Sequence, residues 1–199
     1  PGYGRWPYDI QTHFRALGAP LREDVDAVVF SIEEDPAGAR RARAVLALEF
    51  CGALPAGNQA WQRCGRALGC AYAGVPYLYF AELGGAELDS DRQEKAPRFP
   101  NPLVPFAYAS LGQTTGSLAV PVFSPSPSIS EAAAKPFLAC LGDDEAIAVV
   151  RDILNASDDP APAVRALQAK AELATEALAA VRKRDDTLKG KDWAELAAL

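Results

Sequence analysis

The feature that most constrains this 199-residue chain is a change of hydrophobic period between residues 25 and 83. Two apolar, β-prone runs, 25–32 and 43–51, flank a polar turn, which favours a β-hairpin or two neighbouring strands. Residues 58–74 then space their apolar side chains as a helix does, and 75–83 returns to a β-prone run closed by two glycines. The order strand, strand, helix, strand predicts an α/β fold.

The flanking segments complete the expected organisation. The remaining predicted elements are a short helix at 8–17, an edge strand at 117–123, and helices at 143–154, 161–184 and 193–199. The proline- and glycine-rich stretch 97–136 is expected to connect elements irregularly. We therefore expect an α/β core over residues 1–128 and a helical extension over 129–199, which packs on the core or on a partner, with a homo-oligomer formed through these helices as one possibility.

Composition limits the classes of protein. A hydrophobic fraction of 49% is typical of a packed globular chain, and the net charge of −6 argues against a generic nucleic-acid coat. A nuclease remains compatible with this charge, because a metal site collects carboxylates. No run approaches the roughly 20 apolar residues of a membrane span, so we expect a cytoplasmic protein without a membrane partner. Because the chain begins at Pro1 and has no methionine, it is interpreted either as part of a longer polypeptide or as a sequence with modified positions.

A pair of carboxylates is the first candidate site. Asp26 begins the first predicted strand and Glu49 lies near the end of the second, so antiparallel pairing would bring them together. Their oxygens suit Mg²⁺, with Mn²⁺ as an alternative. Glu49 also interrupts the apolar run VLALEF, where a carboxylate is costly without a partner or a cation. The alternative is that both acids are simply solvated at strand ends.

A polar stripe on the predicted helix is the second candidate. Its members share one helix face and could contact a phosphate backbone: Gln59, Gln62, Arg63 and Arg66. The opposite, apolar side of the helix comprises Trp61, Cys64, Leu68, Ala71 and Tyr72. The alternative is a solvated face without a binding role.

These elements resemble the αβββαβ core of the PD-(D/E)xK nuclease superfamily, which includes type II restriction endonucleases. The similarity covers roughly residues 8–85, with Val25-Asp26 at the PD position and Glu49-Phe50-Cys51 at the (D/E)-x-K position. The resemblance implies a mixed sheet flanked by helices and a metal-dependent endonuclease acting on DNA.

The resemblance also implies residue roles. Asp26 and Glu49 would be metal ligands and catalytic residues, Gln62 a further catalytic residue, and Gln59, Arg63 and Arg66 substrate-binding residues. Cys51 departs from the pattern, because a thiol cannot replace the charge of the usual lysine. The alternative is therefore a catalytically inactive, nuclease-like binding or assembly module of a larger DNA-processing or defence protein.

Other chemistries find less support in the residues. The loop from Gly52 to Gln59 has the glycine spacing of a phosphate-binding loop but lacks the lysine and hydroxyl residue of a Walker motif. His13 is the only histidine and has no flanking nucleophile motif. Glu82, on the strand after the helix, could supplement a metal site.

Overall fold

The computed structural model describes residues 9–19, 21, 23–51, 58–84, 99–127, 129–155 and 161–182, which form a four-stranded mixed sheet flanked by helices. The strands are β1 (Ala27–Glu34), β2 (Arg40–Cys51), β3 (Tyr77–Leu83) and β4 (Ala119–Pro125). The helices are α1 (Ile10–Ala16), α2 (Asn58–Tyr72), α3 (Leu103–Thr115), α4 (Glu131–Ala134), α5 (Asp143–Leu154) and α6 (Ala161–Arg182), with a 3₁₀ helix at Lys135–Cys140 after α4.

The sheet has the spatial order β1-β2-β3-β4. β1 and β2 form an antiparallel hairpin, whereas β3 pairs in parallel with both β2 and β4. The hairpin turn is held by the Asp35 carboxylate, which accepts hydrogen bonds from the Ala37 and Ala39 amides. Consequently the start of β1 and the carboxyl ends of β2, β3 and β4 lie along one edge of the sheet. This edge carries the candidate site.

The α/β class and the order strand, strand, helix, strand are confirmed. β4 lies at the edge of the described sheet, as expected for the segment 117–123. Between α1 and α2 the described residues contain two strands, one fewer than an αβββαβ core has.

Apart from the expected edge strand, the prediction of an irregular connection over 97–136 was wrong, because this stretch also contains the helices α3 and α4. That prediction rested on the prolines and glycines of the stretch, and Pro105 is one of them. Pro105 is the third residue of α3, and in the first turn a helix leaves its backbone N–H groups without intrahelical partners. A proline there removes no helical hydrogen bond.

Two hydrophobic clusters hold helices on the two faces of the sheet. On the first face, Tyr77 and Tyr79 of β3 pack with Tyr108 of α3, and their cluster also includes residues of α1, α2 and the carboxyl-terminal half of α6. On the second face, Leu46 and Leu78 pack with residues of α5 and the amino-terminal half of α6. The long C-terminal helices therefore pack on the core, one of the two expected arrangements.

Among the described helices, none combines the length and the apolar character that crossing a membrane requires. The predicted helix at 193–199 lies outside the described residues.

Leu78 provides a test of the second cluster. Its side chain is fully buried at the centre of the sheet, so Leu78→Ala should lower the free energy of unfolding by about 2–5 kcal/mol through lost burial and a residual cavity. Denaturant titration followed by circular dichroism measures the change. The matched control is Leu138→Ala, a leucine that is 61% exposed and should change stability by no more than about 0.5 kcal/mol. Equal losses for both variants would contradict the assigned core.

Candidate functional site

Asp26 and Glu49 face each other across the hairpin. Ala27 pairs with Leu48, so the preceding and following residues meet at the sheet edge. The Asp26 backbone N–H donates to Glu49 Oε2 at 3.3 Å, and the Phe50 backbone N–H donates to Asp26 Oδ2 at 2.7 Å. Each carboxylate thus accepts a hydrogen bond from the other strand. The expectation that antiparallel pairing brings the two acids together is confirmed.

Glu49 is completely buried, and its partners come from α2. Arg63 Nε donates to Glu49 Oε1 at 2.9 Å, and Arg66 Nη1 donates to the same oxygen. Both arginine side chains are only 18% exposed. Two guanidinium groups therefore offset the free-energy cost of burying a carboxylate in an apolar strand. From the sequence, both groups were expected to contact a phosphate backbone instead.

Arg66 also reaches a third acid. Its Nη2 donates to Glu23 Oε2 at 2.6 Å, although the Glu23 side chain is itself largely exposed. Glu23 lies in a segment without periodicity, so no pattern in the sequence pointed to it. We call Glu23, Asp26, Glu49, Arg63 and Arg66 the edge cluster. Its three carboxylates and two guanidinium groups leave one net negative charge, which favours a cation nearby.

Burial governs the titration of groups on this face. It raises the pKa of Glu49 above the usual range, and the negative charge of Asp26 adds to this, while Arg66 and Arg63 oppose it. Burial, reinforced by the charge of Glu49, also raises the pKa of Tyr77, on the neighbouring strand. The Tyr77 hydroxyl has no hydrogen-bond partner among the described residues. Tyr77 therefore stays uncharged at neutral pH.

The orientation of α2 differs from the amphipathic pattern. Leu68 and Tyr72, expected on the packed side, are both exposed, and Tyr72 is 69% exposed. The side that faces the sheet instead carries the arginines of the edge cluster followed by the buried small residues Ala67 and Cys70. Gln59 and Gln62 lie on α2, but their side chains are outside the described part of the chain.

Other candidate nucleophiles and ligands stand apart from the edge cluster or are inert. Burial raises the pKa of Cys64 to about 11 and that of Cys70 to about 12, so neither is a thiolate at neutral pH. Glu82 lies between Ala81 and Leu83 of the first cluster, so strand alternation places it on the opposite face from Glu49. His13 packs edge-on against Phe30.

The donor chemistry of the edge cluster suits a hard cation. Within the described ranges, no group of three or more His, Cys, Asp or Glu side chains is disposed to hold a metal ion. Mg²⁺ is commonly held by one or two protein carboxylates, with waters and substrate phosphate completing its shell. Asp26 is exposed and Glu49 supplies a second carboxylate beside it, whose Oε2 accepts from the Asp26 amide and whose Oε1 accepts from Arg63 and Arg66. The two guanidinium groups compete with a cation for Glu49 Oε1.

Comparison with protein-family models, with curated protein sequences and with solved structures gave no match to this chain. Inferences about its function therefore come from its own residues and their geometry.

The pairing of Glu49 with two arginines makes a stability prediction. Glu49→Ala removes the buried carboxylate to which two largely buried guanidinium groups donate, and breaking a buried pair in this way costs about 3–5 kcal/mol. Denaturant titration measures the loss. The control is Glu34→Ala, because Glu34 pairs with Arg40 at the exposed end of the same hairpin, where such a pair contributes about 0.2–1 kcal/mol.

A second variant separates the ion pair from simple packing. Replacing Glu49, Arg63 and Arg66 together with Leu, Met and Met removes the buried carboxylate and both of its guanidinium partners, and it should restore much of the stability that Glu49→Ala loses. If the triple variant is less stable than Glu49→Ala, the arginines do not depend on Glu49 in the way described.

Proposed function

We propose that the chain is a Mg²⁺-dependent DNA endonuclease of the restriction-endonuclease type, in which Asp26 and Glu49 are the metal ligands. The single observation that carries the proposal is the meeting of these two acids at the edge where β1 begins and β2 ends, where the Asp26 amide donates to the Glu49 carboxylate and the Phe50 amide donates to the Asp26 carboxylate. A buried glutamate beside an exposed aspartate gives a cation one anchored ligand and one accessible ligand.

The net charge of the edge cluster supports the same function. With one excess negative charge, the cluster attracts a divalent cation, and the cation in turn makes the region positive enough for a phosphodiester. Bound to these oxygens, Mg²⁺ would supply the positive charge that stabilises a phosphodiester undergoing hydrolysis.

The residues of the chain itself have distinct roles in this proposal. Arg63 and Arg66 share the Glu49 carboxylate in the structure, and once a cation takes part of that negative charge they can donate to phosphate oxygens instead. Gln62 is proposed as a further catalytic residue and Gln59 as a further substrate-binding residue, from their positions at the start of α2. Cys51 holds the position of the usual lysine, so water activation has to come from another group.

Plasmid cleavage tests the proposal. Asp26→Asn and Glu49→Gln keep the shape of each side chain and remove its charge, and each should lower Mg²⁺-dependent cleavage by at least about 10–100-fold, the loss typical even of groups that only orient metal ligands. Glu34→Gln, an exposed acid on the same hairpin, is the control and should cleave as the unmodified protein does. Undiminished cleavage by folded Glu49→Gln protein would remove Glu49 from the mechanism.

A second candidate function is a catalytically inactive, nuclease-like binding or assembly module of a larger DNA-processing or defence protein. The observation that favours it is the occupation of Glu49 Oε1 by both Arg63 and Arg66, since an anion already neutralised in this way has less need of a cation. The thiol of Cys51 in place of an ammonium group favours it too.

Calorimetric titration with Mg²⁺ or Mn²⁺ separates the two functions. The endonuclease should give a binding heat that disappears in Asp26→Asn and Glu49→Gln, because both charges attract the cation. An inactive module should give the same negligible heat in all three proteins. A heat that persists in both variants would show that cations bind elsewhere and would support neither site assignment.

A further inference from the structure

The second face of the sheet is incompletely covered next to the edge cluster. α5 and α6 pack over β3 and β4, and two depressions lie beside α5 on this face. One, of about 320 Å³, is lined by Phe80, Ile147, Val150, Arg151, Leu154 and Asn155. The other, of about 430 Å³, extends to Val29, Arg43 and Val45 of the hairpin and shares Leu154 with the first. We call the two together the sheet-face groove.

A pair of stacked aromatic rings stands at the edge of this groove. Phe50 of β2 lies directly opposite Phe80 of β3 in the parallel register, and their rings stack with centroids 4.9 Å apart and planes 12° apart. Phe80 lines the groove, whereas Phe50 is 53% exposed, which is unusual for a phenylalanine on a central strand. Phe80 therefore covers one face of the Phe50 ring, while a large part of the Phe50 surface lies in solvent.

Two arginines line the groove, one in each depression. Arg43 stands across the ladder from Ser31, so no carboxylate is directly opposite it. The Arg151 Nε lies 3.8 Å from Asp152 Oδ1, which is longer than a hydrogen bond. An apolar, aromatic floor between two guanidinium groups complements a chain of bases joined by phosphates, because bases stack on aromatic rings and phosphates pair with arginine.

The groove is also connected to the edge cluster through the backbone. Glu49 and Phe50 are consecutive on β2, so their side chains leave opposite faces of the same strand. The Phe50 amide donates to the Asp26 carboxylate, which fixes the aromatic residue to the candidate metal ligand. A nucleic-acid strand that passes over this sheet edge would bring a phosphate to one face and a neighbouring base to the other.

From this arrangement we infer that the sheet-face groove binds single-stranded nucleic acid, with a base stacked on Phe50 and the backbone held by Arg43 and Arg151. The inference rests on the proposed nuclease function and narrows its substrate to single strands or duplexes with unpaired bases. Paired bases in a duplex already stack on their neighbours and cannot present a free face to Phe50.

Fluorescence anisotropy with a labelled oligothymidylate, measured in EDTA so that no cleavage occurs, tests the inference. Phe50→Ala should weaken binding by roughly 5- to 150-fold, the range found when one base-stacking side chain is removed. Phe50→Leu, which keeps the apolar contact and loses the ring, should be equally weak, whereas Phe50→Trp should bind at least as well as the unmodified protein. In a plot of the logarithm of affinity against the logarithm of salt concentration, Arg43→Ala and Arg151→Ala should each reduce the steepness of the slope by about one.

The matched control is Tyr72→Ala, an aromatic residue that is even more exposed but lies on α2 and does not line the groove. It should bind the oligonucleotide unchanged. Thermal unfolding of each variant confirms that it is folded, and Phe50→Trp keeps the test valid if Phe50→Ala is unstable.

Equal affinity of the Phe50→Ala and Tyr72→Ala proteins would overturn the inference, and so would tighter binding to the matching duplex than to the single strand. Self-association that Phe50→Ala abolishes would also overturn it, because the groove would then bind a second copy of the chain. Because binding is measured without metal, this result is independent of the endonuclease proposal. If the Asp26→Asn protein binds the oligonucleotide normally but fails to cleave, the result would support both the groove and the endonuclease proposal. If the unmodified protein and all variants bind without cleaving, the groove would remain a binding site and the endonuclease proposal would be contradicted.

Discussion

The ion pairs of the buried Glu49 carboxylate determine how the other parts of this site can be arranged. Glu49 is the only fully buried acid among the described residues, and its charge is acceptable there because Arg63 and Arg66 both donate to one of its oxygens. These contacts connect β2 to α2 across the sheet edge. They also set the rotation of α2 about its axis, so that Arg63 and Arg66 face the sheet while Leu68 and Tyr72 are exposed.

The two candidate functions differ in what neutralises Glu49. In an inactive module the guanidinium groups remain its permanent partners, and the edge cluster is a structural ion network. In a nuclease a cation shares the carboxylate with Asp26, and the arginines become available to phosphate. Both states use the same residues in nearly the same places, since the Asp26 amide already donates to the Glu49 carboxylate and the Phe50 amide to the Asp26 carboxylate, and neither bond involves a cation. The free-energy difference between pairing Glu49 with the guanidinium groups and pairing it with a cation decides between the two functions.

Strand alternation adds a second constraint. Consecutive residues of β2 point to opposite faces, so the carboxylate of Glu49 and the ring of Phe50 occupy different environments although their backbones are adjacent. On one face, the buried Glu49 carboxylate pairs with two guanidinium groups. On the other, C-terminal helices cover β3 and β4 and leave the ring of Phe50 exposed beside the sheet-face groove. The C-terminal helices are therefore part of the lining of the sheet-face groove as well as part of the core.

The sequence by itself determined the types of most elements and one long-range contact. Hydrophobic periods of two and of 3.6 residues distinguished β1, β2 and β3 from α2, and the hairpin brought Asp26 to Glu49 because antiparallel register follows from the positions of the two runs. Only the tertiary structure decided the helix at Pro105, the rotation of α2, the role of Glu23 and the exposure of Phe50. Periodicity describes one element at a time, whereas these features depend on charges and packing between elements distant in the chain. For α2 the pairing of Glu49 with arginines 14 and 17 residues away prevails over the burial of two apolar side chains.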